Sequence, residues 1–355
     1  MFIRQLHLTN FKNHEKKVFS FTEDTTTFVG LNGLGKTNIL DAIYMLCIGK
    51  SYFSSSDKNC VKHEEDFFRL KMELDKSEYQ EVVITYERGK RKRILVDGIP
   101  HQKSAEHVGL FPAVVVSPND QTLITGSSEE RRKFIDQTLS QLSREYLNNL
   151  IHYNSTLKQR NALLKSAEEK GLDKELLGIY DNALSEKATF IYRARNDFFK
   201  DIQAFFRESF TSLSAKDEGF TLDYESHLAD KPLIEMLEAS LQKDLILKRT
   251  TKGIHKDDIR LEMNGKLLKD FGSQGQQKTF LLALKLTQFN FLKAQLKKVP
   301  LFIIDDIFDK LDTQRSQNLI KFLVKQQGQV FISNTDNHIF QNIIEVPVHI
   351  IPVEE

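Results

Sequence analysis

The sequence predicts an α/β fold in which both ends of the chain build one nucleotide-binding core, with a β-rich N-terminal subdomain and a helical insertion in the middle. Three observations carry this prediction. A β-branched run at 25–30 ends in a glycine-rich turn and is followed by an amphipathic segment. The uniformly apolar run 301–304 is typical of a strand buried in a parallel sheet. Between them, apolar residues repeat every three or four positions over 127–247, which indicates helices.

The N-terminal part is predicted to be mostly strands. Residues 2–11 and 18–21 read as strands, and 38–48 has helical spacing with Gly49 at the position of a C-terminal cap. Residues 66–116 return to strand-like patterns, with turn signals at Arg88-Gly89 and Asp97-Gly98.

The middle of the chain opens with Ser127 and Glu130, which have the spacing of a capping box. Helix is expected from there to about 247. An aromatic stripe over 198–210 is interpreted as a core between helices rather than as a platform for stacking bases.

The C-terminal part is predicted to alternate strands and helices. We expect strands at 259–263, 301–304 and 330–333, an Asn264-Gly265 hairpin turn, and helices at 276–295 and 312–327. The predicted domains are therefore an N-terminal part of the core at 1–125, a helical insertion at 126–248 and a C-terminal part of the core at 249–355.

Composition excludes several classes of protein. The chain has 355 residues, of which 40% are hydrophobic, and its mean hydropathy of −0.39 argues against an integral membrane protein. Two cysteines without CxxC spacing argue against a disulfide framework or a structural zinc site. With 50 basic and 49 acidic residues, an anionic partner must be held by local basic clusters. No signal peptide is readable, so a reducing, cytoplasmic location is expected.

The segment 30–37 matches the phosphate-binding motif GxxxxGK[ST] in full, between a predicted strand and a predicted helix. Its glycines allow successive backbone N–H groups to point at phosphate oxygens, at the positive end of the helix dipole. Lys36 would contact the β- and γ-phosphates, and the Thr37 hydroxyl can bind Mg²⁺. The predicted nucleotide-binding residues of this segment are Gly30, Asn32, Gly33, Gly35, Lys36, Thr37 and Asn38.

Two adjacent acids follow the buried run 301–304 and complete the predicted catalytic site. Asp305 is assigned to Mg²⁺ through water, and Asp306 is assigned to orienting the attacking water or accepting its proton. With Lys36, Asp306 is the predicted catalytic residue. An ordinary pair of acids at a strand end is the competing interpretation.

A second glycine-containing loop, 271–277, opens the helix before the acid pair. Gly272 and Gly275 flank Ser273 at a predicted helix N-terminus, which is typical of another anion-binding nest. Two phosphate-type sites in one chain are explained if the second one serves a nucleotide bound to another copy.

The ordered set of motifs resembles the ABC-type ATPases of the structural-maintenance-of-chromosomes (SMC) class. Within that class it resembles the RecF family of bacterial recombination mediators. The resemblance covers the whole chain, through 30–37, 271–277 and the segments LTNFKN at 8–13, GKSY at 49–52, SPND at 117–120, RRKFID at 131–136, HKDD at 255–258 and DDIFDKLD at 305–312.

The resemblance implies the fold of an SMC-like P-loop ATPase head and weak, DNA-stimulated hydrolysis of ATP with Mg²⁺. It implies that Ser273, Gln274 and Gly275 contact the γ-phosphate across an ATP-sandwiched homodimer, with a D-loop at 309–312. It also implies binding to single-strand/double-strand DNA junctions and cooperation with RecR and RecO in loading RecA.

Two features depart from related ATPases. The signature reads Gly272-Ser273-Gln274, where many relatives have another small or polar residue in place of the glutamine. Residues 333–336 lie where transporter ATPases carry a switch histidine, so Asn334 or Thr335 is the candidate γ-phosphate sensor. Gln102 and Gln121 are the two candidates for a Q-loop glutamine.

Two basic clusters leave alternatives open. The basic ridge, which we define as Arg88, Lys90, Arg91, Lys92 and Arg93, is either a DNA-contacting surface or a solvated sheet edge. Residues 131–133 put three cations in the first turn of a helix, where they oppose the dipole, and an ion-pairing structural role is favoured for them.

Two other functions share the P-loop. The ATPase subunit of an ABC transporter would normally keep the switch histidine and have a shorter insertion. A metabolic P-loop kinase would leave the loop at Ser273 unexplained.

Overall fold

The computed structural model describes residues 1–214, 218–307, 313–326, 328–335 and 347–354. The chain divides into two compact units. The first comprises 1–120, 206–216 and 278–355, and the second comprises 121–205 and 217–277.

The strands of both units are numbered together in chain order. They are β1 Phe2–Phe11, β2 His14–Ser20, β3 Thr25–Val29, β4 Phe67–Asp75, β5 Glu81–Glu87, β6 Arg93–Val96, β7 Ile99–Pro100, β8 Ala113–Val116, β9 Phe220–Glu225, β10 Asp258–Met263, β11 Lys266–Leu267, β12 Leu301–Asp305, β13 Val330–Asn334 and β14 Val348–Pro352.

The α-helices are numbered in the same way. They are α1 Lys36–Ile48, α2 Thr122–Thr125, α3 Ser128–Leu142, α4 Arg144–Lys170, α5 Lys174–Leu213, α6 Leu233–Leu247, α7 Leu268–Phe271, α8 Gln274–Leu296 and α9 Thr313–Lys325. None of the described helices is both long and apolar enough to cross a lipid bilayer.

The first unit contains a parallel sheet of order β14-β3-β13-β12-β8. Its central strands β12 and β13 are buried along their whole length, which explains their uniformly apolar sequences. Because the strands are parallel, β3, β12 and β13 end at one edge of the sheet. The P-loop, Asp305 and Asn334 lie at these three ends.

An antiparallel sheet of order β2-β1-β4-β5-β6-β7 completes the first unit, and α1 packs against both sheets. The apolar residues of α1 are fully buried, and Gly49 ends the helix at φ 84°, as predicted. The turn between β6 and β7 has Asp97 at φ 49° and Gly98 at φ 77°, which confirms the predicted hairpin.

The second unit combines helices with a small sheet of order β11-β10-β9. Arg195 on α5 is 1% exposed and donates hydrogen bonds to Asp136 and to Asp257, at 2.8 Å each. A second buried arginine, Arg160 on α4, donates to Asp244 at 2.7 Å. These pairs supply the counter-charges that a buried guanidinium requires.

Four features of the structure differ from what the sequence led us to expect. Strand β9 lies where only helix was expected, because its short alternating sequence becomes a strand by pairing with β10, a partner distant in sequence. Strand β14 was not predicted. Helix α3 does begin at Ser128, but the predicted capping box does not form: the Ser127 side chain makes no capping bond, and the Glu130 side chain pairs with Lys133. Residues 249–277, which were assigned to the core, belong to the second unit.

The aromatic stripe on α5 confirms the interpretation as core. Of its six members, only Phe205 keeps intermediate exposure, and the other five are buried. They are Phe198, Phe199, Ile202, Phe206 and Phe210.

Because His107 is buried, we expect acid to lower the stability of the first unit. Its Nε2 lies 2.7 Å from the Leu46 carbonyl oxygen, and burial lowers its pKa to about 4. The unfolded chain binds a proton below about pH 6.5 and the folded chain does not, so stability falls between pH 6.5 and 4. Between pH 7.5 and pH 5, His107→Gln should remove about 2 kcal/mol of that loss. Urea unfolding at pH 7.5 and pH 5 measures it.

The control for this prediction is His63→Gln, because the His63 side chain is 96% exposed. It should leave the pH dependence as in the wild type. A His107→Gln protein with the wild-type pH dependence would show that this histidine is not the acid-sensitive group.

Candidate functional site

The P-loop connects β3 to α1 and has the backbone conformation that phosphate binding requires. Gly33 and Gly35 both have φ 92°, in the region where side chains are strained. Helix α1 begins directly after Gly35, so its first N–H groups face the loop. Loop and helix end together can bind an anion.

The loop is packed closely from one side. A Cβ atom on Gly35 would lie 2.3 Å from Asn13 Nδ2 and 2.7 Å from His14 Nε2. The Asn13 side-chain oxygen also accepts a hydrogen bond from Asn38 at 2.7 Å. Sequence reasoning gave Asn13 and His14 no role, although Asn13 ends the segment 8–13 that carries the family resemblance.

Lys36 is 7% exposed and folds back over the loop. Its ammonium group donates to the carbonyl oxygens of Gly30 at 2.6 Å and Leu31 at 2.9 Å. Both acceptors are neutral, so phosphate oxygens are stronger competing acceptors for the same protons. Asn32 is exposed in the middle of the loop.

The acid pair meets the P-loop at the edge of the parallel sheet. The Thr37 hydroxyl donates to Asp305 Oδ1 at 2.8 Å, and the Ser333 hydroxyl donates to the same oxygen at 2.7 Å. Burial raises the pKa of Asp305, and the hydrogen bonds from Ser333 and Thr37 oppose this shift. Residues from the ends of β12 and β13 and the start of α1 thus share one carboxylate.

Asp306 has an unusual backbone. Its φ is 47°, and its N–H group donates to the Ser333 hydroxyl oxygen at 3.0 Å. Its Oδ1 is buried without a hydrogen-bond partner among the described residues. A buried, unpaired carboxylate oxygen is costly and indicates a ligand or water partner.

The residues of this cluster fit Mg²⁺. Thr37 and Asp305 offer two oxygen donors beside the loop that binds phosphates, and Asp306 adds an unpaired oxygen. Mg²⁺ usually takes one or two protein ligands and completes its shell with phosphate oxygens and water. Consistent with this, the described residues hold no larger cluster of metal-binding side chains.

Ser333 is the functional residue of this cluster that sequence reasoning missed. Its hydroxyl is the only described group that bonds both the Asp305 side chain and the Asp306 backbone. By sequence it lies at the switch position, where its neighbours Asn334 and Thr335 were the candidate γ-phosphate sensors. Asn334 is 1% exposed, and its side-chain oxygen accepts from the Thr335 N–H at 2.9 Å.

A chain of buried charges supports the segments around the P-loop. Asp41 on α1 pairs with Lys12 at 2.7 Å and accepts from the Tyr52 N–H at 2.7 Å. The Tyr52 hydroxyl donates to Asp120, which pairs with Lys285 on α8 at 2.9 Å. These contacts use one residue from each of three segments that carry the family resemblance, 8–13, 49–52 and 117–120.

The loop before α8 forms a capping box. Ser273 Oγ accepts from the Gln276 N–H at 3.2 Å, and Gln276 Oε1 accepts from the Ser273 N–H at 2.9 Å. Gly272 has φ −74°, so the predicted glycine nest is not formed, and the N-terminus of α8 is the feature of this loop that favours an anion. Ser273 and Gln274 are exposed, and Gly275 has intermediate exposure.

The predicted site residues therefore fall into two groups. The P-loop, Asp305 and Asp306 come together in the first unit, whereas Ser273, Gln274 and Gly275 belong to the second. The predicted D-loop at 309–312 and Asp336 lie outside the described residues. Of the Q-loop candidates, Gln121 donates to Gln277 at 2.7 Å, and Gln102 is exposed.

Most members of the basic ridge already have partners within the chain. Lys92 pairs with Asp57 at 2.7 Å, Lys90 pairs with Glu87 at 2.8 Å, and Arg91 donates to the Gln102 carbonyl at 3.0 Å. Arg88 donates to the Glu65 carbonyl at 2.9 Å. Only Arg93 is exposed without a described hydrogen bond or ion pair.

The cations at 131–133 have the predicted structural role. Arg131 makes two hydrogen bonds to the Asp258 carboxylate at 2.7 and 3.0 Å. Arg132 donates to the Asp257 carbonyl at 2.6 Å, and Lys133 pairs with Glu130 at 2.8 Å. These bonds offset the unfavourable position of the cations at the N-terminus of α3.

Comparison with known proteins gives consistent matches. The sequence profile of the family described as "RecF/RecN/SMC N terminal domain" matches residues 2–355. The "DNA replication and repair protein RecF" of Flavobacterium johnsoniae is 42% identical over 338 residues, which cover 94% of each chain.

Comparison with solved structures shows a similar fold. The "Structure of the recombination mediator protein RecF-ATPrS in RecFOR pathway" superposes with a TM-score of 0.88 at 28% identity, covering 99% of this chain and 96% of that chain. The "SmcHead bound to the C-winged helix domain of ScpA" is similar in fold alone, with a TM-score of 0.53 at 19% identity over 97% of this chain and 92% of that one. These matches confirm the predicted ABC-type, SMC-like ATPase head fold.

The packing around Gly35 predicts a strong effect of one added methyl group. Gly35→Ala should lower the affinity for a fluorescent ATP analogue about tenfold, because its Cβ would displace the side chains of Asn13 and His14, which are held by hydrogen bonds to Asn38 and to the Gly35 carbonyl oxygen. Gly33→Ala is the matched control, since Gly33 has the same φ but nothing within 4 Å of its Cβ. Equal affinities of the two variants would contradict the packing argument. Thermal unfolding checks that both are folded.

Proposed function

Because this chain belongs to the RecF family within the RecF/RecN/SMC group, we propose that it is an ATP-dependent DNA-binding protein of replication and recombinational repair. The observation that carries the proposal is the contact between Thr37 and Asp305 at 2.8 Å. It joins the P-loop to the acid pair from the far end of the sequence. A nucleotide site of this kind needs both parts.

Each residue of the cluster has a proposed role in ATP hydrolysis. The backbone of 30–37 and the Lys36 ammonium bind the phosphates. Thr37 and Asp305 hold Mg²⁺, which neutralises charge on the phosphate oxygens when bound. Asp306 orients the attacking water through the carboxylate oxygen that has no described partner.

The first unit is the proposed ATPase part, and the loop of the second unit is proposed to act on a second copy of the chain. Ser273, Gln274 and Gly275 lie at the start of α8, whose N-terminal N–H groups favour an anion. Ser273 and Gln274 are exposed and therefore accessible to another molecule. A γ-phosphate shared between two chains makes association depend on bound ATP.

The proposed partners follow the relatives. A similar protein is described as a DNA replication and repair protein, and a solved relative as a mediator in the RecFOR pathway. We propose that this chain binds gapped or junction DNA, single- and double-stranded, and works with RecR and RecO in loading RecA. The transporter alternative gains no support, because Ser333 to Thr335 supply no switch histidine.

Sedimentation velocity with and without ATP tests the proposed dimer. Asp306→Asn should remove water activation while keeping the ligand Asp305, so it should trap an ATP-bound dimer. Ser273→Arg should abolish dimerisation while each chain still binds ATP through Lys36 and Thr37. Asp306→Asn that stays monomeric at saturating ATP, or Ser273→Arg that dimerises normally, contradicts the shared site.

Hydrolysis kinetics test the role of Ser333. Ser333→Ala should lower kcat by about 10- to 100-fold, because both acids lose the hydroxyl that positions them. The affinity for ATP should change less than about threefold, since the P-loop is untouched. Ser333→Thr keeps the hydroxyl and should restore much of kcat. Equal kcat values for Ser333→Ala and the wild type would remove this role.

A further inference from the structure

The outer face of the antiparallel sheet carries a straight row of basic and hydroxyl side chains. Neighbouring strands pair Lys16 with Thr9, Thr9 with Arg69, Arg69 with Thr85, and Thr85 with Arg93. We call these five residues the basic row. They come from β2, β1, β4, β5 and β6 in spatial order, so cations alternate with threonines across five adjacent strands.

The three cations of the basic row are available to a ligand. Lys16, Arg69 and Arg93 are exposed, and none of their side chains makes a hydrogen bond or an ion pair within the described part of the chain. Thr9 and Thr85 lie between these cations and have intermediate exposure. The basic row shares Arg93 with the basic ridge, but the ridge residues Lys90 and Lys92 are already paired with carboxylates.

The charge on this face changes sign along the strands. Two rows away from Arg69, Glu73 lies opposite Glu81. Lys71 pairs with these acids at 3.1 and 3.0 Å, and Arg4 pairs with Glu73 at 2.6 Å. Cations at that end are therefore neutralised. A polyanion would therefore be attracted more strongly to the end that carries the basic row than to the other end.

The spacing of the cations selects an extended anion. Strands in a sheet lie about 4.8 Å apart, so cations on alternate strands are about 10 Å apart and the row spans about 19 Å. Side chains that stand upright on the sheet keep their charges at about this separation, which suits an anion with several charged groups in sequence, such as a sugar-phosphate backbone. Threonine hydroxyls between the cations can donate to further phosphate oxygens.

We propose that the basic row binds the sugar-phosphate backbone of DNA without sequence preference. The inference rests on the proposed function, and it assigns DNA binding to the outer face of the antiparallel sheet. Contacts of lysine, arginine and threonine with phosphates position a protein on DNA but carry no sequence information directly. The row should therefore add affinity and salt dependence but no discrimination between sequences.

Salt titration of DNA binding, at saturating ATP and Mg²⁺, tests the proposal by fluorescence anisotropy. The triple variant Lys16→Ala, Arg69→Ala, Arg93→Ala should lower the slope of log K against log salt by about 2 to 3 on duplex DNA, at about 0.9 for each phosphate that is no longer neutralised. The decrease should be equal for two unrelated duplex sequences. The charge-preserving triple Lys16→Arg, Arg69→Lys, Arg93→Lys should keep most of the wild-type slope.

The matched control removes three cations that are already paired with carboxylates: Arg4, Lys200 and Lys248. Their replacement by alanine should leave the slope near the wild-type value. A basic-row triple variant that is folded and keeps the wild-type slope overturns the inference, as does a decrease confined to one sequence. If Arg91→Ala with Lys92→Ala lowers the slope instead, the DNA site lies on the basic ridge. A wild-type protein without salt-dependent DNA binding would overturn the proposed function itself.

Discussion

One carboxylate, Asp305, ties together segments from opposite ends of the chain. Thr37 at the start of α1 and Ser333 at the end of β13 both donate to its Oδ1, at 2.8 and 2.7 Å. This contact is possible because β3, β13 and β12 are parallel neighbours and end at one edge of the sheet. An acid this deeply buried is costly unless it is hydrogen-bonded, so the bonds hold the loop and both strand ends in register.

The same edge explains the conformation of Asp306. A residue after a buried strand can leave the sheet in several directions, but the hydrogen bond from its N–H to Ser333 holds Asp306 at φ 47°. A non-glycine residue at positive φ persists only where surrounding contacts over-determine it. Here that strain leaves one carboxylate oxygen buried and unpaired next to the P-loop, where a water or metal partner would satisfy it.

Charge in this protein is organised locally. The overall balance of 50 basic to 49 acidic residues carries no information about partners. The structure separates cations that serve the fold, such as Arg131, Arg195 and Lys92, from cations without a described partner, such as Arg69 and Arg93. A cation that neutralises a DNA phosphate displaces a counterion from the DNA, and cations without a carboxylate partner are the most available for this, so we expect the second kind to contribute most to salt-dependent binding.

The sequence by itself determined the P-loop, the acid pair, the helix α1 with its Gly49 cap, and the hairpin at Asp97-Gly98, because each depends on local geometry and on residues adjacent in the chain. Tertiary structure decided what depends on distant partners. Strand β9 forms because it pairs with β10. Ser333 reaches the acid pair because β13 lies beside β12 in the sheet. The basic row likewise joins residues from five strands, and cross-strand register cannot be read from a single segment.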